Sequence, residues 1–176
     1  PVNVTITAFG SANGSPAIDP PGTGTWAFDS PSLPLNLVLN TNTSFTGLSA
    51  IRAEATNDIT LADGTAWTLA PGVTDLTLRA GNDILFGTNA RIFDAGTAAG
   101  PLQLNLIAGA DFQAVDPFAV HAGVGDILNP LLQIGQGTIK LLGGAAVVDA
   151  RSGESGARRH HQREVAAHAE ADHADL

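Results

Sequence analysis

"LTLRAGNDILFG", residues 76–87, places two runs of alternating apolar residues on either side of Gly-Asn-Asp. Alternation with a period of two indicates β-strands, and Gly-Asn-Asp is typical of a tight bend. The bend has four possible interpretations: a hairpin, a calcium-binding loop, a catalytic corner, or one step of a repeating unit. The rest of the chain decides between them.

Two other segments carry the same pattern. "IRAEATNDI" (51–59) and "LNLIAGADF" (104–112) align with "LTLRAGNDI" (76–84). In each segment an apolar residue, an apolar residue or Ala, and Ala occupy positions 1, 3 and 5, with any residue between them. Two turn residues, an Asp and an apolar residue then complete the segment. Similar intervals between such segments are typical of repeat proteins. The turn aspartates of the three copies are Asp58, Asp83 and Asp111. The sequence therefore predicts one supersecondary unit that is repeated with loop insertions.

Each repeat is long enough for about three short strands and their turns. In the second copy the strands are predicted at Leu76–Ala80, Ile84–Phe86 and Ala90–Phe93. Strands this short are unstable alone, so each should pair in parallel with its counterpart in the next copy, at a spacing of about 4.8 Å. Arg52 and Arg79 would then stack on one outward face. The pattern predicts an all-β parallel β-solenoid.

In such a stack the bend is a corner, and the turn aspartates form a column with neighbours about 5 Å apart. Their side chains would accept hydrogen bonds from backbone amides that the bend leaves unpaired. A degenerate fourth copy is predicted within "LLQIGQGTIKLL" (131–142), with Leu131 and Ile139 in the matching places.

Composition divides the chain near residue 150. "VNVTITA" (2–8) alternates as a half-buried strand, and residues 9–32 are rich in turn formers and predict an irregular cap. Half of the eight basic residues and four of the five histidines follow residue 150. The predicted domains are a β-helix domain over 1–150, with 1–32 as strand plus cap, and a charged, His- and Ala-rich tail over 151–176 that is helical or disordered.

Charge and composition exclude several classes of function. A net charge of −9 argues against a nucleic-acid partner and against docking on anionic lipid. The chain has no Cys, so it forms no disulfide and no thiolate metal site. No stretch approaches the roughly 20 apolar residues that span a bilayer, so no membrane insertion is expected. No signal peptide is visible, and the start at Pro1 predicts an internal or processed piece of a longer protein.

The segments "LTLRAGNDILFGTNARI" and "LQLNLIAGADFQA" resemble the repeats of filamentous-haemagglutinin-type exoproteins. These are the large secreted bacterial adhesins of two-partner secretion systems, and related autotransporter passengers. The resemblance covers roughly residues 33–148. It implies a right-handed parallel β-helix that is exported unfolded through an outer-membrane pore.

That resemblance also implies a function. The chain would be a secreted or surface-displayed segment, on the extracellular side of a bacterial outer membrane, that acts in cell adhesion as part of a rigid stalk. Its expected partners are the secretion pore during export, and a host or neighbouring-cell surface protein or glycan. The resemblance brings no catalytic, cofactor-binding or metal-binding residue, so we expect no enzyme activity and no cofactor. The expected fold has an irregular N-terminal cap and a non-β C-terminal tail.

A carbohydrate-active enzyme or a glycan-binding module on the same scaffold is the alternative. A polysaccharide lyase needs a cation and a base, and a hydrolase needs two carboxylates about 5–10 Å apart. The aspartate column would meet the second requirement, although turn chemistry demands the same column. The residues weighed as cations are Arg52, Arg79, Arg91 and Lys140.

Other candidate sites have simpler interpretations. "GNDILFG" (81–87) resembles one unit of the calcium-binding nonapeptide repeats, but nothing comparable lies nine residues away, which favours a structural corner. His121, near Asp116 and Asp126, lacks a nucleophile signature and is interpreted as a loop histidine. Trp26 and Trp67 could stack on sugars, but filling the core is the favoured role.

The tail could hold a divalent metal loosely if it were helical. Its candidate ligands, at i, i+4 spacing, are His160, Glu164, His168 and Asp172. The arrangement matches no H-E-x-x-H motif, and a solvated or disordered segment is the favoured interpretation.

Overall fold

The computed structural model describes residues 1–94, 101–135, 137–144, 146–148, 151–152 and 160–162, the last three ranges by backbone alone. The regular structure in these ranges is β-strand throughout. No helix long and apolar enough to cross a membrane occurs among the described residues. The strands are β1 Asn3–Thr7, β2 Ala17–Ile18, β3 Thr23–Trp26, β4 Asn36–Asn40, β5 Ala50–Ala55, β6 Ile59–Leu61, β7 Ala66–Leu69, β8 Asp75–Ala80, β9 Ile84–Phe86, β10 Arg91–Asp94, β11 Leu102–Ala108, β12 Asp126–Leu128, β13 Leu131–Gln133, β14 Gly137–Gly143, β15 Ala146–Val148, β16 Arg151–Ser152 and β17 His160–Gln162.

The strands form three separate sheets. A six-stranded sheet has the order β15-β12-β9-β6-β1-β4, and a four-stranded sheet has the order β16-β13-β10-β7. A seven-stranded sheet has the order β17-β14-β11-β8-β5-β3-β2. The described strand pairs are parallel except for β2 with β3, which pair antiparallel.

The predicted right-handed parallel β-helix (β-solenoid) with an irregular N-terminal cap and a non-β C-terminal tail is wrong. The sheets are separate, none of them closes, and parallel and antiparallel pairs are mixed. The predicted cap supplies β2 and β3, and the predicted tail supplies β16 and β17, which pair with β13 and β14. The prediction extended the parallel pairing of three copies to the whole chain. It missed the turn after β2, which lets β2 and β3 pair antiparallel at the edge of the seven-stranded sheet.

At the level of strand pairing, the alignment of the three copies is confirmed. Leu76 pairs with Ile51 on one side and with Leu104 on the other. All three side chains are buried, as are the alternate residues of the same strands. Parallel pairing in this register keeps apolar side chains in continuous rows, because a shift of one residue would turn each row towards solvent.

Two details of the predicted alignment are wrong. Arg52 pairs with Thr77, whereas Arg79 pairs with Glu54, so the two arginines do not occupy equivalent positions. In the fourth copy, the predicted alignment would place Ile139 in the same row as Ile84. Ile139 instead pairs with Leu104. Leu131 begins β13 in the four-stranded sheet, so it does not match the first apolar residue of the other copies.

The corner column also differs from the prediction in its third member. Asp58 Oδ1 accepts the Asp83 backbone N–H at 3.1 Å, and Asp83 Oδ1 accepts that of Asp126 at 2.8 Å. Asp126 therefore continues the column in place of Asp111. The amides of each bend are satisfied by the carboxylate of the neighbouring copy, which is the role predicted for these aspartates.

An insertion of residues 109–125 displaces Asp111 from the column. The insertion leaves the corner at Gly109 and returns at Gly125, both with positive φ (71° and 83°). A Cβ on Gly109 would lie 2.0 Å from the Val124 carbonyl oxygen. The two ends of the insertion can therefore approach each other only because Gly109 has no side chain. The sequence around Asp111 resembles that of the other corners, but the next strand begins only at Asp126.

The core contains a cluster of aromatic residues as well as aliphatic rows. Trp26 and Trp67 are buried on either side of Phe45, with ring centroids 5.3 Å and 4.4 Å from the Phe45 centroid. The prediction that the tryptophans fill the core is confirmed, and neither presents a face to a sugar. The boundary near residue 150 stays a prediction, since most of 151–176 lies outside the described residues.

Candidate functional site

The outer face of the seven-stranded sheet carries two rows of mostly polar side chains. Each row runs across the strands, because residues paired in register lie side by side about 4.8 Å apart. The rows differ in composition: the first contains a carboxylate and the second contains cations at two positions. The first row is Thr23, Ala50, Asp75, Gln103 and Thr138; the second is Thr25, Arg52, Thr77, Asn105 and Lys140.

Two segments fold over this face: the insertion of residues 109–125 and the irregular parts of residues 9–32 around β2 and β3. We call both segments insertions. Phe28 from residues 9–32 stacks on Phe112 from residues 109–125, with ring centroids 4.3 Å apart. The Phe112 ring centroid also lies 4.8 Å from Cζ of Arg79, which belongs to a third outward row together with Glu54 and Ile107. The aromatic pair therefore forms a side wall above Arg79 and its neighbours.

The same insertions limit the two ends of the rows. Asp19 follows β2, which pairs with β3 at one end of the sheet. At the other end, the Phe118 ring centroid lies 4.1 Å from the ammonium nitrogen of Lys140. Lys140 is on β14, next to β11. Between them is a groove of about 360 Å³ whose floor crosses β3, β5, β8 and β11. We call this space the groove.

Glu54 organises the charges beside the groove. Its side chain is buried, and its Oε1 accepts hydrogen bonds from Arg52 Nε and Arg79 Nη1, each at 2.8 Å. Its Oε2 accepts the Phe28 backbone N–H at 3.3 Å, which ties the first insertion to the sheet. Arg79 is buried, whereas the Arg52 side chain is 41% exposed and lines the groove.

A chain of hydrogen bonds crosses the groove floor. Asn105 Nδ2 donates to Thr77 Oγ1, and Thr77 Oγ1 donates to Asp75 Oδ1, both at 3.1 Å. Burial raises the pKa of the Asp75 carboxyl above its usual value, and the Thr77 hydroxyl and the Arg52 charge oppose that rise. The floor therefore combines hydroxyl, amide and carboxyl groups in fixed orientations.

The residues weighed as lyase cations do not act together. Arg52 and Arg79 converge on Glu54, but Arg79 lies beneath Phe112. Lys140 lies at the Phe118 end of the groove, and Arg91 lies over Phe93 on the four-stranded sheet. Among these four cations, Arg52 therefore combines a position on the groove lining with a substantially exposed side chain.

The other candidate residues are spread over the molecule. His121 Nε2 lies 3.7 Å from Asp111 Oδ1, so its carboxylate neighbour is not the predicted Asp116 or Asp126. The corner carboxylates accept backbone hydrogen bonds, and no cluster of three or more His, Cys, Asp or Glu in the described ranges could hold a metal. His160 lies on β17, and the remaining tail candidates (Glu164, His168 and Asp172) lie outside the described residues.

A second depression lies at the next corner and has a volume of about 440 Å³. Its carboxylate, Asp63, already accepts the Thr88 backbone N–H at 2.7 Å. Asn89 and Asn129 line it with positive φ, which is turn chemistry. We therefore place the candidate site in the groove and not at this corner.

Sequence reasoning missed the walls of the groove. Phe28, Phe112 and Phe118 lie in segments without periodicity, and the pairing of Phe28 with Phe112 joins parts of the chain that are distant in sequence. One usable signal was Ile107, an apolar residue at an outward position. It is fully buried, next to Arg79 in the ladder, on the face that the insertions cover.

A scan against protein-family models found no match, and searches of the curated proteins and of the solved structures found none either.

Proposed function

We propose that this chain is a segment of a secreted or surface-displayed bacterial exoprotein that acts in cell adhesion, without catalysis. In this proposal the stacked strands are a stiff support, and the groove is the surface that contacts a protein or glycan on another cell. The segment reaches the extracellular side of the outer membrane through a secretion pore.

The observation that supports this proposal best is the groove itself. Rows of equivalent residues would give a uniform wall, but the insertions at residues 9–32 and 109–125 interrupt that wall at one place. Binding residues are disproportionately found on loops held by a rigid scaffold. The repeat pattern around residues 51, 76 and 104 and its resemblance to filamentous-haemagglutinin-type exoproteins support the assignment to this class of protein.

An adhesion assay tests the proposal. Beads coated with the chain should bind to cultured animal cells or to bacterial cells, and beads carrying Phe118→Ala should bind less. Phe9→Ala is the matched control, because Phe9 is an exposed phenylalanine (66%) that is not part of the groove lining. Equal retention of uncoated and coated beads on every cell type would refute an adhesive role.

A carbohydrate-active enzyme is the second candidate, because one observation favours it. Asp75 and Arg52 line the same groove, and the pKa of Asp75 is raised by burial, as for a general acid. Incubation with uronate polymers and with neutral polysaccharides, followed by measurement of unsaturated products and new reducing ends, separates the two functions. We expect neither product. Turnover that Asp75→Asn abolishes would replace the adhesive proposal with an enzymatic one.

A further inference from the structure

We propose that the groove binds a short stretch of an uncharged saccharide, about three sugar rings long, with one ring against Phe118. This inference rests on the proposed function and names its ligand class.

The dimensions of the groove suggest the length and direction of the ligand. Its floor crosses four neighbouring strands, and three strand intervals of about 4.8 Å span about 14 Å. The strand interval is close to the advance per ring of an extended pyranose chain. A saccharide that runs across the strands would therefore meet an equivalent set of side chains at each ring. Asp19 and Phe118 limit the two ends, which favours a chain end or a short oligosaccharide over a long polymer.

The chemistry of the floor fits hydroxyl groups. Thr25 and Thr77 each carry a hydroxyl that donates and accepts, and Gln103 and Asn105 each carry an amide with both functions. Sugar hydroxyls need donors and acceptors in the same place, so this mixture matches them better than it matches an anion or an apolar ligand. The hydrogen-bond chain from Asn105 through Thr77 to Asp75 holds these groups in place before binding.

Phe118 supplies the flat apolar surface that the axial C–H groups of a sugar ring require. Lys140 contacts one face of the Phe118 ring. Because Phe118 is only partly buried, some of its ring surface remains accessible. Phe118 also lines the groove together with the adjacent Pro117. Hydrophobic surface next to a few oriented polar groups is the usual composition of a small-ligand site.

The charges favour an uncharged ligand. Arg52 and Arg79 share the single Glu54 carboxylate, so each guanidinium group already has an anionic partner before any ligand binds. Asp19 and Asp75 add two carboxylates to the lining. Counting Glu54, three carboxylates thus face two guanidinium groups, and Lys140, which is not part of the lining, has its ammonium against the Phe118 ring. A uronate or sulfated saccharide would therefore meet an excess of like charge at the lining.

The test uses the whole chain and a series of uncharged gluco-, galacto- and manno-oligosaccharides, from monosaccharide to hexasaccharide, with uronate and sulfated oligosaccharides of equal length. Isothermal titration should show binding to one of the uncharged series, with affinity rising up to the trisaccharide or tetrasaccharide and then levelling off. Binding to the charged series should be at least tenfold weaker. Preference for sulfated or uronate chains, or no binding to any saccharide, would overturn the inference.

Variants assign the binding to the groove. Phe118→Ala should weaken binding by about threefold to tenfold, the size expected for loss of one aromatic contact. Gln103→Ala should also weaken it, since Gln103 is exposed on the floor. Phe9→Ala should leave it unchanged. Circular dichroism shows whether each variant is folded, and equal affinity of all folded variants would contradict the placement.

Parallel adhesion and titration measurements separate this inference from the proposed function. If coated beads adhere but periodate treatment of the cells has no effect, adhesion stands and the saccharide inference fails. If the chain binds a saccharide but the beads do not adhere to any cell, the saccharide inference stands and the adhesive function fails. Release of new reducing ends from a bound saccharide would contradict a binding-only site.

Discussion

At the scale of single residues, two kinds of polar contact hold the neighbouring copies together. The first is the corner column, in which each carboxylate accepts backbone amides of the neighbouring copy. Asp58 Oδ1 accepts both the Asp83 backbone N–H and Asn82 Nδ2, at 3.1 Å and 2.9 Å. Asn3 Oδ1 extends the same scheme by accepting a hydrogen bond from Asn57 Nδ2 at 3.0 Å.

Removal of a corner carboxylate should destabilise the fold. Asp58→Ala removes the acceptor of three hydrogen bonds, from Asp83 N–H, Asn82 Nδ2 and Asn57 Nδ2, and we expect a loss of about 1–3 kcal/mol in the free energy of unfolding. Asp58→Asn keeps one oxygen acceptor and should cost less. Asp29→Ala, at an exposed position, is the control. Urea unfolding of the four proteins measures the order, and equal stability of Asp58→Ala and Asp29→Ala would contradict the role of the column.

The second contact is the charge cluster around Glu54. Glu54→Ala leaves Arg79 buried without its carboxylate, and breaking such a pair costs about 3–5 kcal/mol. Arg52→Ala removes the more exposed partner and should cost less than about 1 kcal/mol. Denaturant titration of both variants tests this asymmetry. A larger loss for Arg52→Ala would show that Arg79 does not depend on Glu54.

Asp75 should make stability depend on pH in a definite direction. Burial raises its pKa in the folded state, so the folded chain holds this proton more tightly than the unfolded chain. Stability contributed by the protonated carboxyl is therefore present at low pH and decreases as pH rises through the window between the usual Asp value, near 4, and the raised one.

Asp75→Asn removes that dependence, so the stability of the wild type relative to the variant should improve as pH falls from 7 to about 4. Unfolding free energies of both proteins across this range provide the measurement. If the stability of the wild type relative to Asp75→Asn stayed constant or decreased on acidification, the raised pKa of Asp75 would be contradicted.

At the scale of elements, the register of the three clear copies was predictable, whereas that of the fourth copy and the insertions were not. The pattern L-x-L-x-A around residue 76 fixes which side chains face inward, and matching patterns near 51 and 104 fix the pairing partners. Asp111 shows where this reasoning ends. Its local sequence matches a corner, but residues 109–125 leave the stack there, and nothing local distinguishes a corner from the start of an insertion.

The insertion at 109–125 should be held to the sheet by Phe112. Phe112→Ala removes the stack on Phe28 and the contact over Arg79, and we expect a loss of roughly 1–3 kcal/mol. Val115→Ala is the matched control in the same insertion, since Val115 is fully exposed. Hydrogen exchange of the insertion should accelerate in Phe112→Ala alone. The same exchange pattern in both variants would mean that Phe112 does not hold the insertion.

At the scale of the whole molecule, the groove depends on the register. Its floor is assembled from strands that are distant in sequence, and its walls come from two insertions that meet above them. The sequence predicted parallel stacking of three copies but not the separate, partly antiparallel sheets, because pairing at an edge depends on turns such as the one after β2. The groove was not predictable, since it needs both the register and the insertions.

Disulfide trapping tests the register most directly, because the chain has no native Cys to interfere. Leu85 pairs with Thr60 on one side and with Leu128 on the other, whereas Thr60 and Leu128 are two strands apart. Paired Cα atoms about 4.8 Å apart can be bridged, but Cα atoms more than about 7 Å apart cannot. Under mild oxidation, mass spectrometry should find a disulfide in Thr60→Cys/Leu85→Cys and in Leu85→Cys/Leu128→Cys. A disulfide in Thr60→Cys/Leu128→Cys, with none in the other two variants, would contradict the parallel stacking of the three copies, whose strands β5, β8 and β11 form most of the groove floor.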